Sequence, residues 1–206
     1  MRHASVTRWG LGHVLIEPSF TILDVGCGGG KTIATLADLA SSGRVFGVDY
    51  AATSVAVARR VNAAAIVSGR VDIQQASVSR LPFPDSTFDL ISAIETHYYW
   101  PDPVNDLHEI LRVLKPGGRL VVIAETYKGE RFDRILAVPM KLLRARYLTA
   151  REHRELFAAA GFVDITLDVE RRRGWICGVA RKPGAEGNEC GSVAPATVTP
   201  SWSGHR

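Results

Sequence analysis

Short apolar runs alternate along this chain with longer segments whose apolar residues recur every three or four positions. The runs lie at 22–25, 44–50, 71–75, 88–94 and 119–124. They are typical of β-strands, and the first has the continuous apolar character of a strand buried on both faces. The longer segments lie at 31–40, 53–65 and 102–114. Their spacing is typical of helices with one buried face, which in 53–65 would include Val61.

A weaker stretch, 126–148, follows the fifth predicted strand; it is basic and partly amphipathic, and its role stays open. A helix is predicted to begin at Thr149, because Glu152 stands three residues later and the two form a capping box. Two last strands are predicted at 162–169 and 174–180, joined by a short hairpin connection.

A dense glycine loop lies between the first predicted strand and the first predicted helix. Glycines permit positive φ angles and a close approach of the backbone to a ligand, and the N–H groups at a helix start face that ligand. Val25 stands where a P-loop needs glycine, and Lys31 stands where a dinucleotide loop needs its third glycine. An acidic-x-Gly-x-Gly-x-Gly loop is matched in full by Asp24, Gly26, Gly28 and Gly30.

Asp49 ends the second predicted strand, 19 residues beyond Gly30. A carboxylate about 20 residues past such a loop is placed to accept hydrogen bonds from ribose hydroxyls. The alternative for a lone Asp at a strand end is a helix cap. Next to this glycine loop, the ribose role is favoured.

The glycine loop resembles the first motif of class I S-adenosylmethionine-dependent methyltransferases. The segments 76–96, which contains LPFPDSTFD, and 108–125, HEILRVLKPGGRLVVIAE, are similar to the type 11 (ubiquinone/menaquinone C-methylase-like) group. The resemblance covers about residues 21–181. It implies an α/β fold with a doubly wound, seven-stranded, mostly parallel Rossmann-like sheet whose last strand, 174–180, is antiparallel. It also implies S-adenosyl-L-methionine as the cofactor.

The resemblance further implies which residues contact the cofactor. Asp24 and the glycine loop would hold the methionine end, Asp49 the ribose, and Ser77 and Val78 would border the adenine. The family often has an acid at the position of Ser77, so a hydroxyl or the Val78 backbone would substitute here. The predicted cofactor-binding residues are Asp24, Gly26, Cys27, Gly28, Gly30, Asp49, Tyr50, Ser77, Val78 and Glu95.

The segment 95–100, ETHYYW, directly follows the fourth predicted strand. Ligands bind beyond the carboxyl ends of strands in open α/β sheets, so its aromatic residues could form the wall of a substrate pocket; core packing is the alternative. Glu95 is expected where the cofactor and acceptor cavities meet. If the acceptor has a proton to lose, the candidate catalytic bases are His97 and Tyr98, while a structural role is the alternative for His97.

Composition and charge narrow the classes of function. A net charge of +4 does not require a nucleic-acid partner. No apolar run approaches the roughly 20 residues of a membrane helix, and the N-terminus lacks a signal-peptide pattern. The three cysteines, Cys27, Cys177 and Cys190, have the spacing of neither a disulfide framework nor a zinc site. We therefore expect a cytoplasmic protein without a metal, whose partner is a small-molecule methyl acceptor.

The chain is expected to divide into three parts. Residues 1–20 would form a lead-in or a lid, in which Trp9 and His13 could face the substrate. Residues 21–182 would form the methyltransferase domain. Residues 183–206 are rich in Gly, Pro, Ser, Thr and Ala and are expected to be a disordered tail.

The sequence thus predicts methyl transfer from S-adenosylmethionine to a small molecule by direct in-line displacement, in which the protein supplies proximity and alignment. Two alternatives stay open. One is an NAD-dependent oxidoreductase, which Lys31 disfavours. The other is a methyltransferase-like scaffold that binds the cofactor without catalysis.

Overall fold

The computed structural model describes residues 2–129 and 145–184. The helices are α1 (Arg2–Leu11), α2 (Lys31–Leu39), α3 (Ala52–Val61), α4 (Ala63–Val67), α5 (Pro103–Val113) and α6 (Ala150–Ala159). The strands are β1 (Thr21–Val25), β2 (Arg44–Asp49), β3 (Val71–Gln75), β4 (Phe88–Ile94), β5 (Leu114–Ala124), β6 (Val163–Glu170) and β7 (Trp175–Arg181). One 3-10 turn, His97–Tyr99, follows β4.

The strands form a single sheet in the order β3-β2-β1-β4-β5-β7-β6. The pairs from β3 to β5 are parallel, whereas β7 runs antiparallel to both β5 and β6. This topology confirms the predicted fold class. The chain winds outward from β1 to β3 and then returns to place β4 on the other side of β1, so a topological switch lies between β1 and β4, where such sheets bind ligands.

Helices cover both faces of the sheet, and each face has its own apolar core. Leu23 belongs to the core under α5 and α6, whereas its neighbour Ile22 belongs to the core under α1, α2 and α3; both are fully buried. The alternation follows from the strand geometry, because successive side chains point to opposite faces. This explains why β1 is apolar at consecutive positions.

The predicted helix 53–65 is two helices, and the expected burial of Val61 is wrong, since this side chain is 51% exposed. The helix is interrupted at Asn62, which is buried. Its side-chain amide donates to the carbonyl oxygens of Ala58 and Gly30, both at 2.9 Å. The interruption thus ties the end of α3 to the glycine loop.

The fifth strand begins earlier than predicted, at Leu114 rather than at residue 119. Its pairing with β4 moves from Phe88–Leu114 to Leu90–Arg119, so residues 115–118 bulge out of the ladder. The Lys-Pro-Gly-Gly turn is therefore placed inside the strand, where the Gly117 N–H donates to the carbonyl oxygen of Lys182 at 3.1 Å.

Residues 1–20 contribute a helix, α1, which packs on β5 and β7. Its role as a lid stays a prediction, as do the domain bounds. Of the predicted tail, residues 185–206 lie outside the described residues, and so do residues 130–144 of the basic stretch. Within the described part of the chain, no helix is long and apolar enough to cross a membrane.

Candidate cofactor and acceptor site

The glycine loop passes from β1 to α2 through three residues in the left-handed region, since Gly26, Gly28 and Gly30 have φ angles of 73°, 51° and 77°. Glycine adopts this conformation without the penalty that a Cβ imposes. A Cβ on Gly26 would collide with the side chain of Thr96, and one on Gly30 with Asn62, whereas a Cβ on Gly28 would meet no atom within 4 Å. Packing therefore requires the outer two glycines, and the space beside Gly28 is open to a ligand.

Helix α2 starts directly after Gly30 and has no side-chain cap. The first N–H groups of a helix lack intrahelical partners and carry partial positive charge, so they form a natural site for an anion. This position therefore suits an anionic group of a ligand. The buried Asn62 amide holds the loop from behind through the Gly30 carbonyl.

Asp49 is 8% exposed and connects the glycine loop to the start of α3. One carboxylate oxygen accepts from the Gly28 N–H and the other from the Ala51 N–H, both at 2.9 Å. Asp49 therefore holds local backbone and also lines the cavity described below. The helix-cap alternative is not met, because its partner Ala51 precedes the first turn of α3, which has no side-chain cap. Because two carboxylate oxygens offer about four acceptor positions, ribose hydroxyls can bind in addition.

Asp24 lies behind the loop, with an exposed fraction of 2%. Burial raises the pKa of its carboxyl group to about 7; the 2.7 Å hydrogen bond from the Ser92 hydroxyl opposes this effect, and the charge of Asp49 adds to it. Asp24 thus titrates near neutral pH, unlike an exposed aspartate. Ser92 was not singled out in the sequence, because a serine within an apolar strand gives no sign of its partner on the next strand.

A cavity of about 550 Å³ opens at the switch point, and its size falls in the range of roughly 300–1,000 Å³ that is usual for small-molecule sites. Five predicted cofactor-binding residues line it: Gly26, Asp49, Tyr50, Ser77 and Val78. The other five predicted residues are not part of the lining: Asp24, Cys27, Gly28, Gly30 and Glu95. The side chain of Cys27 is buried in the apolar core beneath the loop.

The opposite wall of the cavity comes from the segment after β4. Thr96, Tyr99 and Trp100 line it. Trp100 is 6% exposed, and its indole N–H has no hydrogen-bond partner among the described residues, whereas Tyr99 is more than half exposed. Tyr99 therefore lies in the pocket wall, whereas Trp100 lies in the wall and also packs in the apolar core under α5 and α6. Thr96 was missed, since nothing in the sequence indicates its contact with Gly26.

Tyr98 and Glu95 form a hydrogen-bonded pair next to this wall. The Tyr98 hydroxyl donates to one Glu95 oxygen at 2.9 Å, and the other oxygen accepts from the backbone N–H of Glu125. Burial, and then the neighbouring Glu95 charge, raise the pKa of Tyr98 well above its ordinary value. Tyr98 therefore keeps its proton and acts as a hydrogen-bond donor.

His97 is buried against a second histidine, His153 of α6, with 3.0 Å between their Nε2 atoms. The Nδ1 of His153 lies 2.8 Å from the Thr149 carbonyl oxygen, which can only accept, so His153 carries its proton on Nδ1. A neutral His153 then accepts at Nε2, and His97 must donate from its own Nε2. Because His97 donates from Nε2, its Nδ1 carries a lone pair. This Nδ1 atom is buried and has no partner among the described residues.

Burial lowers the pKa of both histidines, and the proximity of His153 lowers that of His97 further. Both rings are therefore neutral at pH 7, as a hydrogen bond donated by one ring and accepted by the other requires. His97 does not line the cavity itself, although it lies between two residues that do, Thr96 and Tyr99. His153 was missed because 56 residues separate it from His97 along the chain, and only the docking of α6 brings them together.

Metal and thiol chemistry receive no support from the described residues. No group of three or more His, Cys, Asp or Glu side chains among them is arranged to hold a metal ion. Cys27 and Cys177 are free and buried, and burial raises the pKa of each thiol to about 12. Thiols with such pKa values are poor nucleophiles at neutral pH.

A doubly wound sheet with this strand order and a glycine loop at its switch point defines an α/β protein that binds a nucleotide-like ligand. The same fold occurs in the methyltransferase solved in complex with the Haloferax volcanii Trm112 methyltransferase activator. That structure superimposes with a TM-score of 0.76 over 88% of this chain and 91% of that chain, at 24% identity. This likeness shows the fold.

Sequence comparison shows the family. A model of the type 11 methyltransferase domain matches residues 23–122. An O-methyltransferase of Pyrenophora dematioidea is 31% identical over 188 residues, which are 86% of this chain and 67% of that protein. A demethylmenaquinone methyltransferase of Lactiplantibacillus plantarum is 39% identical over 103 residues, 50% of this chain and 44% of the relative.

The chain belongs to the class I S-adenosylmethionine-dependent methyltransferases, in the type 11 group. The resemblance in the sequence and the cofactor that it implies are thereby confirmed. The comparisons give no support to the oxidoreductase alternative. The chain spans less than half the length of several curated relatives that it matches.

Proposed function

We propose that this protein transfers the methyl group of S-adenosylmethionine to a small-molecule acceptor by direct in-line displacement. One observation carries the proposal: a single cavity joins the glycine loop, Asp49 and Ser77 to the aromatic wall of Tyr99 and Trp100. The first side carries the donors and acceptors that suit an adenosyl amino acid. The second side offers an apolar surface to an acceptor molecule.

The cofactor, when bound, supplies a methyl group already activated on a sulfonium. The residues of this chain bind and orient it. The first turn of α2 binds the carboxylate, Asp49 accepts hydrogen bonds from the ribose, and the Ser77 hydroxyl and Val78 border the adenine. The indole of Trp100 excludes water from the acceptor side. Positioning of this kind is the main contribution that such a displacement requires.

His97 is the candidate base when the acceptor carries a hydroxyl proton; its Nδ1 is buried behind the cavity wall, so it would come within reach of that proton only in the complex with the acceptor. Its Nδ1 has a free lone pair, and its lowered pKa keeps that lone pair available at neutral pH. His153 positions His97 by accepting its Nε2 proton, so the accepted proton can reside only on Nδ1. Tyr98 holds the Glu95 carboxylate instead of accepting a proton. The relative named an O-methyltransferase supports a hydroxyl acceptor.

The cofactor assignment is tested by thermal denaturation. S-adenosylhomocysteine should raise the melting temperature, and NAD should not. Incubation with S-adenosylmethionine labelled on the methyl group and a small-molecule cell extract should then give labelled products by mass spectrometry, and the variant Asp49→Ala is the control. Stabilisation by NAD alone would contradict the methyltransferase assignment. Tight cofactor binding with no labelled product in any extract would favour the scaffold alternative.

The role of His97 is tested on the acceptor that this experiment identifies. His97→Ala should lower turnover while leaving the affinity for S-adenosylhomocysteine unchanged, because the lost interaction belongs to the transition state. His153→Phe should shift the pH dependence of turnover, since it frees the tautomer of His97. Normal turnover in a normally stable His97→Ala protein would remove His97 from the catalytic residues.

A further inference from the structure

We propose that a second recess, at the same edge of the sheet, binds an anionic group of the methyl acceptor, carried on a flat apolar body. The proposal rests on the methyltransferase function proposed above. The recess has a volume of about 460 Å³. Its lining residues are Ser5, Arg8, Trp9, Glu170, Arg173 and Trp175.

The strand register places the recess at the same edge of the sheet as the cofactor cavity. Ile176 of β7 pairs with Ala124 of β5, so Trp175 lies beside Glu125 at the carboxyl end of β5. The N–H of Glu125 is bonded to Glu95, whose neighbour Thr96 lines the cofactor cavity. The recess and the cavity therefore open along one edge of the sheet, separated by the ends of β4 and β5.

Helix α1 forms the outer wall of the recess, and it is fixed closely to the sheet. The Cys177 thiol donates to the Gly10 carbonyl oxygen at 3.4 Å, and a Cβ on Gly10 would collide with Ile123. This close approach holds Trp9 over Trp175, with 5.8 Å between the ring centroids. The two indoles are thus held by packing. Trp175 is only 6% exposed, so the half-buried Trp9 provides most of the flat apolar surface that a ligand could reach.

Two arginines, Arg8 and Arg173, line the recess together with this aromatic pair. The Arg173 guanidinium carbon lies 4.6 Å from the centroid of the Trp175 ring, a cation–π contact that leaves its N–H donors available. Neither Arg8 nor Arg173 forms an ion pair or a side-chain hydrogen bond with a described residue. By contrast, Arg181, at the other end of β7, is paired with Asp164 at 2.6 Å.

Two acidic side chains lie near the recess, and each already has a partner. Asp168 lies 3.5 Å from the ring of His13, and Glu170 accepts from the backbone N–H of Arg172 at 3.0 Å. The recess therefore carries two positive groups against one carboxylate. Guanidinium groups bind carboxylates and phosphates through paired, charge-assisted hydrogen bonds. Together with the apolar face of Trp9, they favour a planar anion such as an aromatic carboxylate.

Calorimetry on the full chain, saturated with S-adenosylhomocysteine, tests the proposal with three probes: indole-3-acetate, its neutral isostere indole-3-acetamide, and inorganic phosphate. Indole-3-acetate should bind, and the other two should bind at least about tenfold more weakly, since each lacks either the charge or the flat body. Arg8→Gln and Arg173→Gln should each weaken indole-3-acetate binding about tenfold to a hundredfold. The matched control is Arg172→Gln, at an exposed position that does not line the recess, and it should have no effect.

Equal binding of the acid and the amide, or an equal loss in the Arg172→Gln control, would overturn the anion site. Phosphate binding as tight as that of indole-3-acetate would overturn the role of the indole walls. If the protein binds S-adenosylhomocysteine but not indole-3-acetate, the anion site is refuted, and the proposed methyltransferase function is unaffected. Failure to bind S-adenosylhomocysteine would instead count against the proposed function.

Discussion

Replacing Asp24 by Asn should stabilise the protein at alkaline pH and weaken its cofactor binding. The substitution keeps the shape of the side chain and an oxygen that can accept the Ser92 hydrogen bond. It removes only the charge. Because Asp24 is 2% exposed, that charge is costly in the folded protein, whereas the unfolded chain ionises freely.

The pH dependence follows from the two pKa values of Asp24, 3.8 for the ordinary group and about 7 in the folded protein. Below the lower value the carboxyl group is protonated in both states. As the pH rises, the unfolded chain ionises first and the folded state loses stability, until Asp24 ionises in the folded protein as well. A difference of about three pH units, at about 1.4 kcal/mol each, gives a total of about 4 kcal/mol.

The assay is urea denaturation of the wild type and Asp24→Asn without cofactor. From about pH 5 to about pH 8, the free energy of unfolding of the variant should gain about 2.5 kcal/mol relative to the wild type. His97 and His153 titrate in the opposite sense, because their lowered pKa values cost stability on acidification. Both proteins carry this pair, so its contribution cancels in the difference.

Asp38→Asn, at an exposed position of α2, is the matched control, and it should change the free energy of unfolding by no more than about 0.5 kcal/mol, as is usual for surface substitutions. A flat difference for Asp24→Asn, or a loss of stability at about pH 8, would refute the reasoning. In binding assays at alkaline pH, Asp24→Asn should lose more affinity for S-adenosylmethionine, which carries a sulfonium charge, than for S-adenosylhomocysteine, whose sulfur is uncharged. Equal losses would show that the buried charge does not act on the sulfonium.

Three further predictions concern the loop, the ribose contact and the tail. Gly26→Ala should lower the melting temperature more than Gly28→Ala, because both introduce a Cβ in the left-handed region but only the first collides with Thr96; equal losses would contradict this. Asp49→Ala should weaken S-adenosylhomocysteine binding about tenfold to a hundredfold by calorimetry, and unchanged affinity in the folded variant would refute the ribose role. Ending the chain after Lys182 should leave melting temperature and cofactor affinity nearly unchanged, and a large loss in either would show that the tail docks.

Several features of the protein follow from short stretches of its sequence. The apolar runs predict the strands because a strand buried on both faces cannot include many polar residues. The spacing of Asp24, Gly26, Gly28 and Gly30 distinguishes this loop from a P-loop and from a dinucleotide-binding loop. The positions of the glycines fix which backbone angles are available. The capping box of Thr149 and Glu152 is present as expected, because both of its hydrogen bonds are local.

The ends of helices and strands are less predictable from the sequence where contacts with residues far along the chain determine them. Periodicity alone continues α3 to residue 65, but the helix is interrupted at Asn62, whose amide reaches the Gly30 carbonyl 32 residues away. Pro116, Gly117 and Gly118 are typical of a segment that ends a helix before the next strand begins. The pairing of Leu114 with Phe88 places that segment inside β5 as a bulge.

The sequence by itself determined the fold class, the family and the segments that surround the cofactor cavity, because these depend on residue type and local spacing. Only the tertiary structure decided the chemical state of the side chains. The pKa of Asp24 depends on its burial beside Ser92. The tautomer of His97 depends on His153, which belongs to a helix far along the chain. The recess that contains Arg8 and Arg173 depends on the packing of α1 over β7. Protonation, hydrogen-bond direction and unpaired charge are set by neighbours in space, and sequence spacing carries no direct information about those neighbours.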